Sequence, residues 1–161
     1  MKKIFAIIVL AILSMTAFAQ SGRDIYNKYS DEAGVSSVYI SPAMFRLIGK
    51  IPDIQMEDSP VNFSSIIKSM SGFFVVSSDN PDIADLLYGD VKTFIQKGEF
   101  ELLMETKEDG EVMRMYTAGN DKSVTSFVML SRDNEEVSFI AFDGKMDREE
   151  LELLIAEAAA D

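Results

Sequence analysis

The chain has 161 residues, of which 47% are apolar and 26% charged, and its formal net charge is −12 at pH 7. This length and composition are typical of one globular domain and exclude a disordered tail. So acidic a chain repels nucleic acid and anionic lipid, and we expect neither as a partner.

The first 19 residues have the pattern of a secretory signal. Lys2 and Lys3 form a basic start, and an apolar stretch runs from Ile4 to Leu13. Ala17-Phe18-Ala19 then resembles a signal-peptide cleavage site. The apolar stretch is too short for a membrane anchor, which needs about 20 residues. We therefore expect residues 1–19 to be removed.

Cleavage would change both the charge and the expected location. The 15 basic residues would fall to 13 against 27 acidic residues, which gives a net charge of −14. No cysteine is present at the cleavage site for lipid attachment. We therefore predict that residues 20–161 form a single soluble domain in the periplasm or outside the cell, with no integral membrane segment.

Three short elements are predicted before residue 50. The first is a helix with apolar residues at helical spacing, namely Ile25, Tyr26 and Tyr29. Val35 to Ser41 has the pattern of a short strand. Ser41-Pro42 places a proline after a capping residue, which predicts a second helix that Gly49 ends. Residues 50–60 contain two prolines and three acids and predict a connector.

Two further helices and an apolar strand are predicted next. Ser59-Pro60 again places a proline after a capping residue, which predicts a helix start, and Gly72 is the expected end of this helix. Phe73 to Ser78 is a continuous apolar run, which is typical of a central strand covered on both faces. Asn80-Pro81 then indicates the start of a longer helix.

The second half of the chain changes to the two-residue period of strands. Four runs separated by turn residues predict an antiparallel meander: EFELLMETK, EVMRMYT, KSVTSFVMLS and EVSFIAFDG. Asp147 is predicted to cap a last helix, with Glu150 as its reciprocal partner. The predicted fold class is α+β, an antiparallel sheet with a C-terminal four-strand meander and helices packed on one face.

The Asp109-Gly110 pair is the strongest short hairpin signal and sets a register. In a two-residue turn Met104 faces Met115, and Glu105 faces Arg114 as a favourable charge pair. Alternation then gives one face seven residues: Phe100, Leu102, Met104, Thr106, Met113, Met115 and Thr117. A three-residue loop would instead set Arg114 opposite Met104, so we prefer the shorter turn.

The three methionines of this face have two interpretations. Soft thioethers bind Cu(I), and exported compartments host copper-handling proteins, so Met104, Met113 and Met115 are the candidate metal ligands. Methionine also fills irregular gaps in a core, and strand alternation alone accounts for the cluster. We therefore expect these side chains to pack beneath helices and predict no cofactor and no metal.

Catalytic chemistry has little support in the sequence. The chain holds no histidine and no cysteine, which removes the usual general base and the thiolate nucleophile. Paired carboxylates could hydrolyse glycosides, but with 27 acids some pair falls at any chosen spacing. The acidic run from Ser77 to Asp85 does not fit a calcium loop, because Pro81 and Ile83 occupy ligand positions. No catalytic residue is predicted.

Two stretches carry a resemblance to a known family. SGFFVVSSDNPDIADLLYGDV and FELLMETKEDGEVMRMYTAGNDKSVTSFVMLSRDNEEVSFIAFDGKMDREELELLI resemble, in pattern and order, the domain-of-unknown-function family 4252 of exported Gram-negative bacterial proteins. Similar proteins often carry a lipid-attachment cysteine, which this chain lacks. The resemblance implies no activity and no site residues. The frequent position of similar genes near extracytoplasmic sigma-factor genes implies a role in envelope regulation.

The function we expect is therefore binding rather than catalysis. The chain is predicted to be a non-enzymatic interaction protein of the cell envelope with a protein or peptide partner. A methionine-based Cu(I)-binding protein and a carboxylate-dependent hydrolase are the alternatives.

Overall fold

The computed structural model describes residues 21–48 and 68–158. Four helices have both ends within these ranges: α1 (Gly22–Tyr29), α2 (Pro42–Ile48), α3 (Pro81–Lys97) and α4 (Arg148–Ala158). Six strands are present: β1 (Val35–Ile40), β2 (Met70–Ser78), β3 (Glu101–Glu108), β4 (Glu111–Gly119), β5 (Ser123–Arg132) and β6 (Val137–Asp147). The predicted signal, the connector over residues 50–60 and the helix start at Ser59-Pro60 lie outside the described residues.

The strands form one sheet in the order β1-β2-β6-β5-β4-β3, in which every neighbouring pair is antiparallel. The α+β class is therefore confirmed. The predicted four-strand meander makes up β3 to β6, and β1 and β2 extend the sheet to six strands by pairing along the far side of β6. In the ranges that the structure describes, no helix has the length and apolar character needed to cross a bilayer.

Side-chain caps explain where the predicted helices begin. The Asn80 side chain accepts hydrogen bonds from the backbone N–H groups of Asp82, at 3.1 Å, and Ile83, at 3.4 Å. Asp147 accepts in the same way from Glu149, at 3.0 Å, and Glu150. Each cap satisfies N–H groups that have no partner inside the helix, so the chain enters α3 and α4 at the positions that the sequence predicts.

The larger core lies on the side of the sheet that carries Val128 and Leu130, which we call the first face. Helices α1 and α3 pack there and contribute Ile25 and Leu87 to it. Phe139 of β6 is fully buried beneath them. Since buried aromatic and aliphatic side chains each stabilise a fold by about 1.5–3 kcal/mol, this face supplies most of the packing energy.

Helix α4 packs on the opposite side, the second face, which carries Phe127 and Met129. Leu151 of α4 is buried in a separate cluster with Val124, Phe127 and Met146. The prediction that the helices pack on one face is therefore wrong. The physical reason is that β4, β5 and β6 place apolar side chains on both faces of the sheet, so each face has apolar surface to bury.

Strand β2 corrects two further predictions. Phe74 and Val76 are buried on the first face, but Phe73 and Val75 on the second face are only half-buried, so the strand is not fully covered on both sides. Gly72 does not end a helix. The helical residues end at Ser69 and β2 begins at Met70, with a register shift between Met70 and Gly72 in the pairing with β6.

A bulge in β3 changes the predicted faces of two residues. The predicted pairing of Met104 with Met115 and of Glu105 with Arg114 is confirmed. The register then shifts between Leu102 and Met104, so Leu102 pairs with Tyr116 and lies on the first face rather than beside the methionines. Phe100 also changes face, and its ring packs edge-on against Phe94 of α3.

Candidate functional site

A continuous row of apolar side chains crosses the second face of the sheet. Consecutive cross-strand pairs join six residues, one from each strand: Val38, Val75, Ile140, Met129, Met115 and Met104. We call this set the apolar row. Five of its side chains are half-buried and Val38 at the edge is 47% exposed. Apolar surface that remains accessible in this way is characteristic of interaction sites.

A polar row runs beside the apolar row on the same face. Cross-strand pairs join Ser36, Ser77, Ser138 and Ser131, which we call the serine row. Met113 and Thr106 continue it across β4 and β3. Neither row contains a charged residue, although 26% of the chain is charged. The two rows therefore form a strip without charged residues across the six strands, which we call the uncharged strip, although the Glu136 carboxylate at its border accepts a hydrogen bond from Ser138 at 3.3 Å.

Helix α4 covers the neighbouring part of this face. Leu151 and Ile155 of α4 belong to the cluster that contains Phe127, and Met115 and Met129 pack against its edge. The aromatic rings of Phe73, Phe142 and Phe127 stack in sequence beneath this region, with centroids 4.9 and 5.4 Å apart. The apolar row therefore lies between two parts of the second face. On one side is the part that α4 helps to bury, and on the other side is the serine row.

The three candidate copper ligands share this face, as predicted. Met104 and Met115 belong to the apolar row, and Met113 lies two residues along β4 from Met115. All three side chains are half-buried. Met129, which sequence spacing does not connect with them, lies opposite Met115 on β5. The predicted meander makes β4 and β5 neighbours, but the register that sets Met115 opposite Met129 was not predicted, and the β4–β5 pairing shifts between Ala118 and Gly119.

Two carboxylates lie together where α1 meets the sheet. Burial raises the pKa of Asp143, although Ser126 and the backbone N–H of Gly22 donate hydrogen bonds to it, and the nearby charge of Asp24 adds to the increase. A carboxyl group with a raised pKa beside a second carboxyl group is an arrangement that a hydrolase could use. Here Asp24 accepts from the backbone N–H of Ser21 at 2.8 Å, so both side chains anchor the start of α1.

A second polar cluster surrounds Tyr88 on the first face. Arg114 donates to the Tyr88 hydroxyl at 2.9 Å and to Glu105 at 2.6 Å. The Arg132 guanidinium lies 5.0 Å from the centre of the Tyr88 ring and donates to Asp85 at 2.6 Å. Each arginine thus has its own carboxylate partner. The cluster ties α3 to the meander, and the Lys92 ammonium group also lies over the Tyr88 ring, 5.6 Å from its centre.

Metal ligands of other kinds do not assemble in the described ranges. Over residues 21–48 and 68–158, no three carboxylates come together in a group that could hold a metal ion. A shallow hollow of about 480 Å³ near the start of α4 is lined by Asn120, Lys122, Ser123, Lys145, Met146 and Asp147. The amide oxygen of Asn120 accepts from the backbone N–H of Ser123, and a carboxyl oxygen of Asp147 accepts from that of Glu149, so both serve local structure.

The sequence of this chain matches the model of a known protein family. The model of one family, described as a domain of unknown function (DUF4252), matches residues 29–154. The chain belongs to this family. The DUF4252 match includes every residue of the apolar and serine rows, and it begins upstream of the stretches that carry the resemblance in the sequence. A search of curated proteins found no match to the chain.

Proposed function

We propose that this DUF4252 protein is a non-enzymatic binding protein of the bacterial cell envelope, acting in envelope regulation. In this proposal the uncharged strip on the second face holds an apolar segment of a protein partner. The strip is the observation that carries the proposal, since the apolar row and the serine row with its continuation through Met113 and Thr106 hold twelve residues without a charge, on a chain of net charge −12. The signal pattern over residues 1–19 supports the envelope location.

The chemistry of the strip suggests the chemistry of the partner. The apolar row offers aliphatic and thioether surface, whose burial contributes about 25 cal/mol per Å². Methionine adapts its shape to an apolar partner more readily than branched side chains do. The serine row offers hydroxyl groups that donate or accept at the border of the contact. A partner segment with an apolar centre and polar, uncharged groups along one side complements both rows.

Site-specific photo-crosslinking in the native bacterium tests the proposal. A photoreactive amino acid is placed at Ser77 or Ser138 in the serine row, and at Leu86 as the control. Leu86 is 65% exposed on α3 and thus lies on the other side of the sheet. We expect a discrete adduct from Ser77 and Ser138 and none from Leu86. Equal labelling at all three positions, or none at any, would contradict the proposal.

A charge placed in the strip provides the quantitative test. Ser131→Glu combined with Ser138→Glu adds two carboxylates to half-buried positions beside the apolar row. The purified adduct partner should bind this variant at least about tenfold more weakly, because a buried unpaired charge costs more than 1.4 kcal/mol. The control is Leu86→Glu, which adds a charge outside the strip. Unchanged affinity in a folded Ser131→Glu, Ser138→Glu variant would refute the assigned surface.

A further inference from the structure

Four methionines lie together in the uncharged strip, and we call them the strip methionines. Met104, Met115 and Met129 are consecutive members of the apolar row, and Met113 lies beside them where the serine row continues across β4. The chain contains ten methionines and no cysteine, so thioethers are the only sulfur groups that it offers to an oxidant. The strip therefore concentrates oxidisable side chains on the surface that is proposed to bind a partner.

The strip methionines are accessible in the folded protein, unlike Met146. Each of the four is half-buried, so part of each side chain meets solvent. Met146 of β6 instead packs in the cluster that Leu151 of α4 helps to form, and it is only 1% exposed. A small oxidant can reach the strip without any change in the fold, whereas it reaches Met146 only when that cluster opens.

We propose that the strip methionines form one oxidation site, at which hydrogen peroxide makes the strip polar and releases its partner. The release rests on the function proposed above, whereas the oxidation itself does not. In each step the thioether sulfur attacks one peroxide oxygen, so an S–O bond forms as the O–O bond breaks. The sulfur loses two electrons and the peroxide gains them, and both peroxide protons leave in one molecule of water.

Oxidation affects the apolar row more than the serine row. Met129 lies opposite Ile140, whose side chain cannot donate a hydrogen bond to a sulfoxide oxygen. A partner that covers the apolar row would bury such an oxygen without a donor, which is unfavourable. Met113 instead lies opposite Thr106 on β3 and Ser131 on β5, and their hydroxyl groups can donate to its sulfoxide. The three methionines of the apolar row should therefore account for most of the effect.

Peptide mapping of the peroxide-treated protein by mass spectrometry tests the site without any partner. The strip methionines should be converted to sulfoxides at least about tenfold faster than Met146, because the cluster around Met146 must open first. Met44, which is 48% exposed on α2, gives the reference rate for an exposed methionine outside the strip. Rates for the strip methionines no higher than the rate for Met146 would overturn the proposal.

Hydrophobic-interaction chromatography of the folded protein measures the change in the strip. Oxidation should make the protein elute earlier, because polar sulfoxides replace apolar surface. The variant Met104→Leu, Met115→Leu, Met129→Leu lacks the thioethers of the apolar row, so peroxide should shift its elution far less. Met44→Leu is the matched control and should keep most of the shift of the unmodified protein. Equal shifts for the triple-leucine variant and the unmodified protein would also overturn the proposal.

The partner captured by photo-crosslinking provides the functional measurement. Only the DUF4252 protein is treated, and the peroxide is removed before the partner is added. Oxidation should weaken binding at least about tenfold, and methionine sulfoxide reductases should restore it. The triple-leucine variant is compared with itself before and after peroxide, and its affinity should change far less.

The outcomes separate this inference from the binding function. Unchanged affinity in a fully oxidised protein would overturn the inference and leave the binding function intact. A protein that captures no partner would refute the binding function and with it the release. In that case the peptide map and the elution shift would still establish the oxidation site.

Discussion

Met104 and Met115 lie opposite each other on β3 and β4, and Met115 lies opposite Met129 on β5. The three side chains therefore form a run across three neighbouring strands, which are spaced about 4.8 Å apart. The same run continues through Ile140 and Val75 to Val38. The methionines are thus one part of an apolar row that crosses all six strands.

Replacing three methionines by leucine separates a packing role from a metal-binding role. Met104→Leu, Met113→Leu and Met115→Leu keep the apolar volume, so each should change the unfolding free energy by less than about 1.5 kcal/mol. A calorimetric Cu(I) titration should be the same for the protein and the triple variant. Met44→Leu, at an exposed position on α2, is the control. A saturable heat that disappears only in the triple variant would establish the copper alternative.

The hydrogen bond from Tyr29 to Asp90 joins α1 to α3. Burial favours the neutral form of Asp90, but hydrogen bonds from Lys28 and Tyr29 outweigh it and hold the pKa below its usual 3.8. Tyr29→Phe should therefore cost about 1 kcal/mol of unfolding free energy at neutral pH. The cost should be constant above pH 3.8 and decline as the pH falls through the lower pKa of the folded protein.

A double-mutant cycle with Asp90→Asn measures this coupling in denaturant. The effect of Tyr29→Phe should be smaller when Asp90 is already replaced. Additive effects of the two substitutions would show that the hydroxyl and carboxylate contribute independently.

The contribution of Asp143 to stability should depend on pH in the opposite sense to that of Asp90. Its pKa is raised in the folded protein, first by burial, so the folded state binds more protons than the unfolded state just above pH 3.8. Stability from this group is complete below pH 3.8 and is lost as the pH rises through the folded pKa. Asp143→Asn should therefore gain stability relative to the unmodified protein between acidic and neutral pH. Parallel stability curves for the two proteins would contradict this assignment.

Two glycines provide a matched test of close packing. A Cβ atom at Gly22 would lie 2.7 Å from the Ala141 Cβ, so Gly22→Ala should push α1 away from the sheet and cost about 1–3 kcal/mol. Gly89, inside α3, has no such neighbour within 4 Å in the described ranges, and Gly89→Ala should stabilise the protein by about 1 kcal/mol. Thermal unfolding of both variants measures the difference. Equal shifts in the same direction would contradict the packing of α1.

Local chemistry made part of this structure predictable. The Asp109-Gly110 turn places two residues with positive φ, 48° and 91°, in succession, which fixes the hairpin register without help from the rest of the chain. Asn80 and Asp147 cap α3 and α4 through N–H groups only two or three residues away. In each case the interacting atoms are neighbours in sequence, so the sequence alone determined these elements and the α+β class.

The tertiary structure decided the features that depend on pairing between strands distant in the sequence. The predicted meander pairs β6 with β5, but no residue pattern in β6 specifies β2 as its second partner. The bulge after Leu102 moves that side chain to the first face, which alternation alone cannot reveal. Sequence determined which residues could share a face of one hairpin. Only the strand order joined Met104 to Val38 in a single row, because each step between strands brings together residues that are distant in the chain.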